Sequence, residues 1–410
     1  MKSSSIRGPG MAAILADRRA RTVFSFALVG RLTYGLLPLA LIFTVQRNTQ
    51  SFAAAGAASA ALGAATLILP YQARLIDRFG PRRVLLPVGS LFVGLLVILA
   101  LASDGLGFYV FGLAGLTGAC APALGPASRH FWREWAANNE ALKRSAYTLD
   151  TIGEETIFLI GPMLAGGWLA VAAPRGLLLL CALTAGLGVL GMAWQADDGG
   201  HAETRTGRQA TRSIMGILRE PALWPLLGVV ATLAIAFGLT SLALIGRADA
   251  LGGPGWAGAL EAALAIGSML GGLLWHRRAR RGTALFELSG LAVLIAGGLA
   301  LSAVATGFAW LASTLLLTGL AITPSFVIAY AEADVRASHR HATEAGSWIN
   351  ALHNLGFAGG SALGGLMIQG FSPAAAFILG SAVALITAVA ALTLGRIESL
   401  ARPAPGTGSE

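Results

Sequence analysis

The sequence predicts an all-α membrane protein with about twelve transmembrane helices in two pseudo-symmetric six-helix bundles. Only 12% of the 410 residues are charged, about half the share found in soluble domains, and the mean hydropathy is +0.69. The apolar residues come in blocks of roughly 20, the length that a helix needs to cross the hydrocarbon core. The basic residues collect in alternate loops between these blocks. Together these observations exclude a soluble enzyme.

The apolar blocks are predicted to be helices, because an open sheet cannot satisfy its backbone hydrogen bonds in lipid. The abundance of glycine, 54 residues, fits helices that pack closely within a membrane. The predicted spans are residues 22–46, 52–73, 84–103, 107–127, 146–170, 175–195, 222–246, 256–275, 284–305, 308–331, 344–369 and 373–395.

Lys and Arg predict the orientation of these spans. Of the 29 basic residues, 25 fall on the side of the N-terminus, three fall on the other side, and Arg31 lies inside the first span. Because cytoplasmic loops are enriched in basic residues, both termini are predicted to be cytoplasmic in a multi-pass protein of the inner (cytoplasmic) membrane. The predicted parts are a cytoplasmic N-terminal segment (1–21), an N-terminal six-helix bundle (22–195), a cytoplasmic linker (196–221), a C-terminal six-helix bundle (222–395) and a disordered cytoplasmic tail (396–410).

Two pairs of segments indicate that the halves are related. A basic loop at residues 77–83 follows the second span, and a second one at residues 276–282 follows the eighth. A glycine-rich segment at 161–167 lies in the fifth span, and its counterpart at 359–365 lies in the eleventh. Both pairs are offset by about 200 residues. A parallel repeat of six-helix halves is a transporter architecture, in which the substrate site is expected between the halves.

The loop after the second span reads Ala-Arg-Leu-Ile-Asp-Arg-Phe-Gly-Pro-Arg-Arg over residues 73–83. It resembles the Gly-x-Leu-Ala-Asp-Arg-x-Gly-Arg-Arg motif of the major facilitator superfamily, with Ala73 for the first glycine and Pro81 inserted. The resemblance implies a latch at the cytoplasmic face that holds the two halves together. Its residues would be Asp77, Arg78, Gly80, Arg82 and Arg83. The alternative is a basic loop that only sets the orientation.

The fifth span is similar to the Gly-Pro-x-x-Gly-Gly element of the drug:proton antiporter branch of that superfamily. Gly161, Pro162 and Gly166 carry the similarity, with Ala165 in place of one glycine. The span-4 Arg followed by Gln-Gly that is typical of the superfamily is absent. The resemblance implies export of a small solute by proton antiport. A solute importer of the same fold and a non-transporting membrane sensor or scaffold are the alternatives.

Ionisable residues inside predicted spans are candidates for function. Arg31 lies roughly 15 Å into the first span, so its guanidinium needs an ion-pair partner or a water-filled cavity. Asp150 and Glu154 lie one turn apart on one helix face, while Glu155 points about 100° away. Glu154, roughly 13 Å deep, is the predicted proton site. Asp150 is either a relay to it or an acidic cap at the helix N-terminus.

The eleventh span places polar residues at the positions equivalent to Glu154 and Glu155. His353 is either a second candidate for proton coupling or the partner in a hydrogen bond between helices. Tyr34 and Trp348 are either stacking surfaces for a solute or aromatic residues that pack within their spans. The full predicted substrate and proton cavity comprises Arg31, Tyr34, Asp150, Glu154, Glu155, Trp348, His353 and Asn354.

Other chemistry is not indicated by the sequence. The only cysteines, Cys120 and Cys181, lie in apolar runs and are predicted to be packing residues rather than a disulfide. No metal-binding cluster and no phosphate-binding loop with lysine stands out, so we expect no cofactor and no enzymatic activity. The expected partners are a small-molecule substrate, a coupling proton and the lipid bilayer. No nucleic acid is expected, and the protein is predicted to be monomeric.

Overall fold

The computed structural model describes residues 11–102, 107–136, 139–195, 220–276, 283–336 and 342–401, and every regular element in these ranges is helical. The predicted all-α membrane fold is confirmed: ten helical segments in these ranges are long and apolar enough to cross a membrane. The fifth and eleventh predicted spans are also long helices, Glu140–Val171 and Ala342–Gly370, but they carry more polar residues. Most of the predicted linker lies outside the described residues.

The chain forms two compact units. The first comprises residues 1–50 and 64–207, and the second comprises residues 51–63 and 208–410. The helices in the first half of the chain are α1 (Met11–Ala16), α2 (Arg18–Thr49), α3 (Phe52–Ala65), α4 (Leu69–Phe79), α5 (Pro81–Ala102), α6 (Tyr109–Ala119), α7 (Leu124–Trp135), α8 (Glu140–Val171) and α9 (Pro174–Gln195). The helices in the second half are α10 (Trp224–Leu251), α11 (Gly255–His276), α12 (Ala284–Ala303), α13 (Phe308–Gly319), α14 (Ile322–Arg336), α15 (Ala342–Gly370) and α16 (Pro373–Ala401).

Two predicted boundaries differ from the structure. Residues 51–63, predicted within the 22–195 bundle, group with the second unit, because Gly56 and Gly365 let α3 and α15 approach backbone to backbone. The Phe52 amide also donates a hydrogen bond to Gln369 Oε1 at 3.0 Å. At the other end of the chain, α16 continues to Ala401, so the first residues of the predicted tail are helical.

Glycines set the closest helix contacts of the first unit. Helix α2 packs against both α8 and α9. A Cβ at residue 161 would lie 2.7 Å from the Gly35 Cα, and one at residue 188 would lie 2.3 Å from the Gly30 Cα. Only residues without a side chain allow this approach, as is usual between membrane helices. These two contacts lie on either side of Arg31 and fix its place along the α2 axis.

The second unit repeats one of these contacts. Gly360, which follows Gly161 by 199 residues, packs against α10 so closely that a Cβ would lie 2.1 Å from the Ile235 carbonyl oxygen. The corresponding partner in the first unit is Gly35, 200 residues before Ile235. In each unit the same two helices therefore meet at the same place, which supports the pseudo-symmetry predicted from the sequence.

Three predicted spans are interrupted helices. The fourth is divided into α6 and α7 by residues 120–123, and the tenth is divided into α13 and α14 by residues 320–321, again about 200 residues later. A short 3₁₀ segment separates α3 from α4 in the second. Backbone groups at such breaks need partners because lipid offers none. Gln72 supplies two of them, donating to the Ala119 carbonyl at 3.0 Å and accepting from the Ala123 amide at 3.2 Å.

We expect Gln72→Leu to destabilise the first unit by about 2–4 kcal/mol, because each buried backbone group left without a partner costs about 1–3 kcal/mol. Gln72 is 4% exposed, so water cannot replace the lost amide. Thermal unfolding of the purified protein in detergent measures the effect. An unchanged unfolding temperature would show that the break between α6 and α7 does not depend on this side chain.

Candidate functional site

A buried ion pair joins α2 and α8. Arg31 lies about 20 Å along α2 from its first residue. Its Nη2 is 3.0 Å from Asp150 Oδ2, and the two side chains are 2% and 4% exposed. The sequence left open whether Asp150 caps the helix N-terminus, and the structure excludes this. Helix α8 begins at Glu140, where Asn139 is the capping residue, and Asp150 lies nearly three turns inside it.

The second oxygen of Asp150 is bound by helix α7. Ser128 Oγ donates to Asp150 Oδ1 at 2.7 Å, and the Trp132 indole nitrogen lies 3.4 Å from the same atom. Both donors lie beyond residue 127, the predicted end of the fourth span, because α7 continues to Trp135. The carboxylate therefore accepts from three donors on α2 and α7.

The Arg31 guanidinium is only partly satisfied. Within the described part of the chain, its Nε and Nη1 atoms are buried and have no hydrogen-bond acceptor. The Glu154 carboxylate comes to 4.0 Å from Nη1, which is too long for a hydrogen bond. Leaving buried donors unpaired costs about 1–3 kcal/mol for each group. Arg31 therefore has binding capacity that the protein's own side chains do not use.

Glu154 and Asp150 differ in how far the protein covers them. The Glu154 side chain is 41% exposed, whereas Asp150 one turn earlier is almost fully buried. The depth of Glu154 in the membrane and its role as the proton site stay predictions, and Asp150 has the more enclosed position within the protein. The reason is the extended α7, which covers Asp150 on one side. Glu155 is exposed on another side of α8, as its 100° rotation predicted.

Tyr34 has a structural contact in the first unit. Its hydroxyl donates a hydrogen bond to the carbonyl of Pro122, in the break between α6 and α7. The ring packs at the edge of an apolar cluster that includes Leu124 and Val189. Tyr34 thus lies one helical turn from Arg31 but serves the same break as Gln72, and its predicted stacking role stays a prediction.

The equivalent place in the second unit is apolar. His353 stands 199 residues after Glu154, and its ring centroid lies 4.8 Å from that of Phe326. Phe237 and Phe357 lie within 6.4 Å on other sides of the ring. With the offsets of 200 for α2 and 199 for α8, the counterparts of Arg31 and Asp150 are Ala231 and Ile349. A small pocket here is lined by Val229, Val230, Leu233, Phe237, Leu288, Ser325, Phe326, Ala329 and His353.

The other two predicted residues of α15 are partly buried. Trp348 and Asn354 lie on either side of His353 along this helix, and both make interactions in the structure. Asn350 accepts a hydrogen bond from the Tyr330 hydroxyl at 2.7 Å, which ties α14 to α15. The structure therefore brings Arg31, Asp150 and Glu154 together in the first unit. Trp348, His353 and Asn354 belong to the second unit.

Arg336, in the second unit, shows what a fully satisfied arginine looks like in this protein. Its Nε donates to Glu332 at 2.8 Å, and its two Nη atoms donate to Glu398 at 2.6 and 2.8 Å. Burial alone would lower the pKa of Arg336, but the hydrogen bonds from Glu398 and Glu332 raise it above its ordinary value. Arg31 donates only one hydrogen bond to a carboxylate. Both arginines are largely buried, so burial alone does not explain why Arg336 is satisfied and Arg31 is not.

The predicted latch forms a charged cluster at the ends of α4 and α7. Asp77 Oδ1 accepts from Arg133 Nη2 at 2.7 Å, and His130 Nδ1 is 3.6 Å away. Gly80 ends α4 at φ +83°, a conformation that residues with a side chain rarely adopt. Arg78 lies over the ring of Phe79. Arg82 and Arg83 are exposed. These described contacts all lie within the first unit, so a latch between the halves remains a prediction.

We expect Asp77→Asn to leave folding nearly unchanged but to slow transport about fivefold. The Asp77 and Arg133 side chains are 55% and 50% exposed, so their ion pair contributes about 1 kcal/mol or less. A change of that size in one conformational state shifts the equilibrium between two states about fivefold. Initial rates in proteoliposomes measure the effect, with Asp249→Asn on the exposed end of α10 as the control. Equal rates for both variants would reduce the loop to an orientation signal.

The glycine element of the fifth span has a packing role. Gly161 is the contact with Gly35, Pro162 lies inside α8, and Gly166 is buried.

No group of three His, Cys, Asp or Glu residues that could hold a metal ion occurs in the described ranges. Cys120 and Cys181 are free thiols, as predicted.

Sequence and structure comparisons decide the family. The profile described as Major Facilitator Superfamily matches residues 20–360. The chain belongs to the major facilitator superfamily. As a member of that superfamily it is a transporter and not an enzyme. No curated protein matches its sequence.

Solved transporters of this superfamily's shape match nearly the whole chain. The crystal structure of nucleoside transporter NupG is similar with a TM-score of 0.74 and 12% sequence identity, covering 92% of this chain and 99% of that chain. The crystal structure of a mutant of peptide transporter POT in complex with alafosfalin is similar with a TM-score of 0.70 and 15% identity, covering 92% and 95%. At these identities the likeness shows the fold alone, and the antiporter branch stays a proposal.

Sequence reasoning about this superfamily member missed Ser128, Trp132 and Gln72. Ser128 and Trp132 follow the predicted end of a span, where polar residues suggested a loop. Pro122 was the available signal, because a proline inside a predicted span indicates an interrupted helix and therefore a different end point. Gln72, a lone amide in a predicted span, was a candidate on the same ground as Arg31.

Proposed function

We propose that the protein is a proton-coupled secondary active transporter that moves a small solute by alternating access. Arg31, Asp150 and Glu154 would form its charge site. The observation that supports this proposal is the buried guanidinium of Arg31, which is paired on one side and has free donors on the other. Ionisable groups at this depth are costly and are typical of substrate and proton pathways.

Glu154 is the proposed proton carrier. In this proposal Glu154 exchanges a proton when its contact with Arg31, now 4.0 Å between the carboxylate and Nη1, is made or lost. The other groups that face this region are Asp150 on α8, Tyr34 on α2 and Arg129 on α7, while Glu155 is the neighbour of Glu154 on another side of α8. Asp150 accepts from three donors, whereas Glu154 has no hydrogen bond to Arg31, and we therefore assign the proton to Glu154.

The direction of transport depends on whether the solute and the proton compete for the site or bind to it together. A solute that competes with the proton for Glu154 would be exported by antiport, which the Gly161-Pro162 similarity favoured. A solute that binds Arg31 and so releases Glu154 to take a proton would be imported by symport. Because Gly161 has a packing role, its similarity is weak evidence for direction, and we favour the second scheme.

Proteoliposomes that contain a pH-sensitive dye test this proposal. Solutes are added one at a time from a panel of metabolites and drugs that includes nucleosides and short peptides, the molecules named for the similar structures. We expect at least one solute to move protons only in liposomes that contain the protein. Acidification of the liposome interior indicates symport, and alkalinisation of the interior indicates antiport. Solute binding without any solute or proton flux would favour a sensor.

We further propose that both termini are cytoplasmic, as the distribution of Lys and Arg predicts. Single cysteines placed in a Cys120→Ser, Cys181→Ser background are labelled with an impermeant reagent in intact cells. We expect labelling at residues 251–254, between α10 and α11, and at 171–173, between α8 and α9. Labelling of residues 80–82 from outside would contradict this orientation.

A further inference from the structure

We propose that the transported solute carries a carboxylate, which binds Arg31 through Nη1 and Nε while Glu154 is protonated. This inference rests on the proposed function and names its substrate class. The geometry that points to it is a guanidinium that is 2% exposed, paired to Asp150 by one nitrogen only, with its other two nitrogens unpaired among the described residues. A planar guanidinium binds planar oxyanions through two or more N–H groups at once.

The charges around Arg31 also favour an anion. A second guanidinium, that of Arg129, also lies near Gly125: a Cβ at this glycine would be 3.4 Å from Arg129 Nη2 and 3.8 Å from Arg31 Nη2. With Asp150 and Glu154 both ionised, their charges balance those of the two arginines; the exposed Glu155 lies on another side of α8 and is not counted in this balance. Protonation of Glu154 leaves one positive charge without a partner, and a monoanionic solute restores neutrality.

This balance distinguishes a carboxylate from a phosphate. A carboxylate has a single negative charge, which matches the one positive charge left without a partner when Glu154 is protonated. A phosphate monoester carries about 1.5 to 2 negative charges at neutral pH, more than this one positive charge can balance. A neutral solute would leave the Arg31 donors unpaired. A cationic solute would face two arginines. The solute and the proton therefore bind together, so the transport cycle is a symport.

Glu154 is the carboxylate that the solute displaces from Arg31. Asp150 is held by Arg31, Ser128 and Trp132, and its side chain is 4% exposed. Glu154 stands 4.0 Å from Arg31 Nη1 with 41% of its side chain exposed, so a solute can displace it without breaking a hydrogen bond to Arg31. The ion pair between Arg31 and Asp150 stays in place throughout.

Thermal unfolding of the full-length protein with matched carboxylate and amide solutes tests the inference. The probes are lactate and lactamide, and benzoate and benzamide, each up to about 100 mM at constant ionic strength. We expect at least one carboxylate to raise the unfolding temperature, to bind at least about tenfold more tightly than its amide, and to bind more tightly at about pH 5.5 than at about pH 8. Absence of stabilisation by both carboxylates would overturn the inference.

Variants connect this effect to Arg31. Arg31→Lys keeps the charge beside Asp150 but loses the planar fork, so carboxylate binding should weaken at least about tenfold. Arg31→Gln alone leaves Asp150 without its cation and is expected to destabilise the protein. The double variant Arg31→Gln, Asp150→Asn removes both charges and is expected to fold, and carboxylates should not raise its unfolding temperature. Arg247→Lys, in the second unit, should bind as the wild type does. Unchanged carboxylate binding in the double variant would overturn the inference.

Counterflow in proteoliposomes separates this inference from the proposed function. A carboxylate that stabilises the protein through Arg31 but does not exchange across the liposome membrane would support the carboxylate site and contradict transport. An amide that exchanges while its carboxylate does not would support transport and overturn the carboxylate site. Exchange of the carboxylate, driven uphill by an inward pH gradient, would support both.

Discussion

Replacing Arg31 by Gln is expected to destabilise the protein by about 3–5 kcal/mol, the usual cost of leaving one partner of a buried ion pair uncompensated. Asp150 would remain 4% exposed in the variant. Its hydrogen bonds from Ser128 and Trp132 stabilise the carboxylate but supply no positive charge. Thermal unfolding in detergent, together with the yield of folded protein after extraction, measures the loss.

The double variant Arg31→Gln, Asp150→Asn is the control for this experiment. It removes both charges and keeps two polar side chains of nearly the same size, so most of the lost stability should return. Arg247→Gln removes a basic side chain whose described acceptor is the Ala305 carbonyl, and a loss below about 1.5 kcal/mol is expected there. If the single and double variants were equally unstable, the ion pair would not be the source of the effect.

Glu154→Gln is expected to abolish uphill transport driven by a pH gradient while solute exchange across the liposome membrane continues. The amide imitates the protonated carboxylate, so the variant stays in the state that binds solute. Solute binding and the conformational change do not require the proton to leave. Accumulation against a gradient does require it, and we expect a loss of at least about tenfold.

Glu140→Gln is the matched control because it removes an exposed carboxylate from the first turn of the same helix. Its accumulation rate should equal that of the wild type. Wild-type accumulation by Glu154→Gln would move the proton site to another residue. His353 would then be the next candidate, since it stands at the position equivalent to Glu154 in the second unit.

Most of the fold could be predicted because lipid restricts the chain to helices of known length. The sixth span was predicted at 175–195 and is the helix Pro174–Gln195, and the eighth was predicted at 256–275 and is Gly255–His276. The interrupted helices were not predicted. Hydropathy is insensitive to a break of two to four apolar residues, and the groups that stabilise the break at 120–123 come from Gln72 and Tyr34, far away in sequence.

The candidate site was predicted in part for a related reason. The four-residue spacing put Asp150 and Glu154 on one face, and the position of Arg31 required a partner. The sequence could not show which carboxylate is buried, because this depends on where α7 ends. Ser128 and Trp132 belong to that extension, and they determine that Asp150 rather than Glu154 receives the enclosed position.

Helix α7 makes contacts at both of its ends, one in the interior and one at the surface. It has 12 residues, and a helix this short is stiff, so its residues move as one rod. Ser128 touches the interior carboxylate of Asp150, and Arg133, about 7.5 Å further along the rod, touches the exposed carboxylate of Asp77. A shift that strains one of these contacts displaces the other. One short helix thus connects the interior charges to the surface loop.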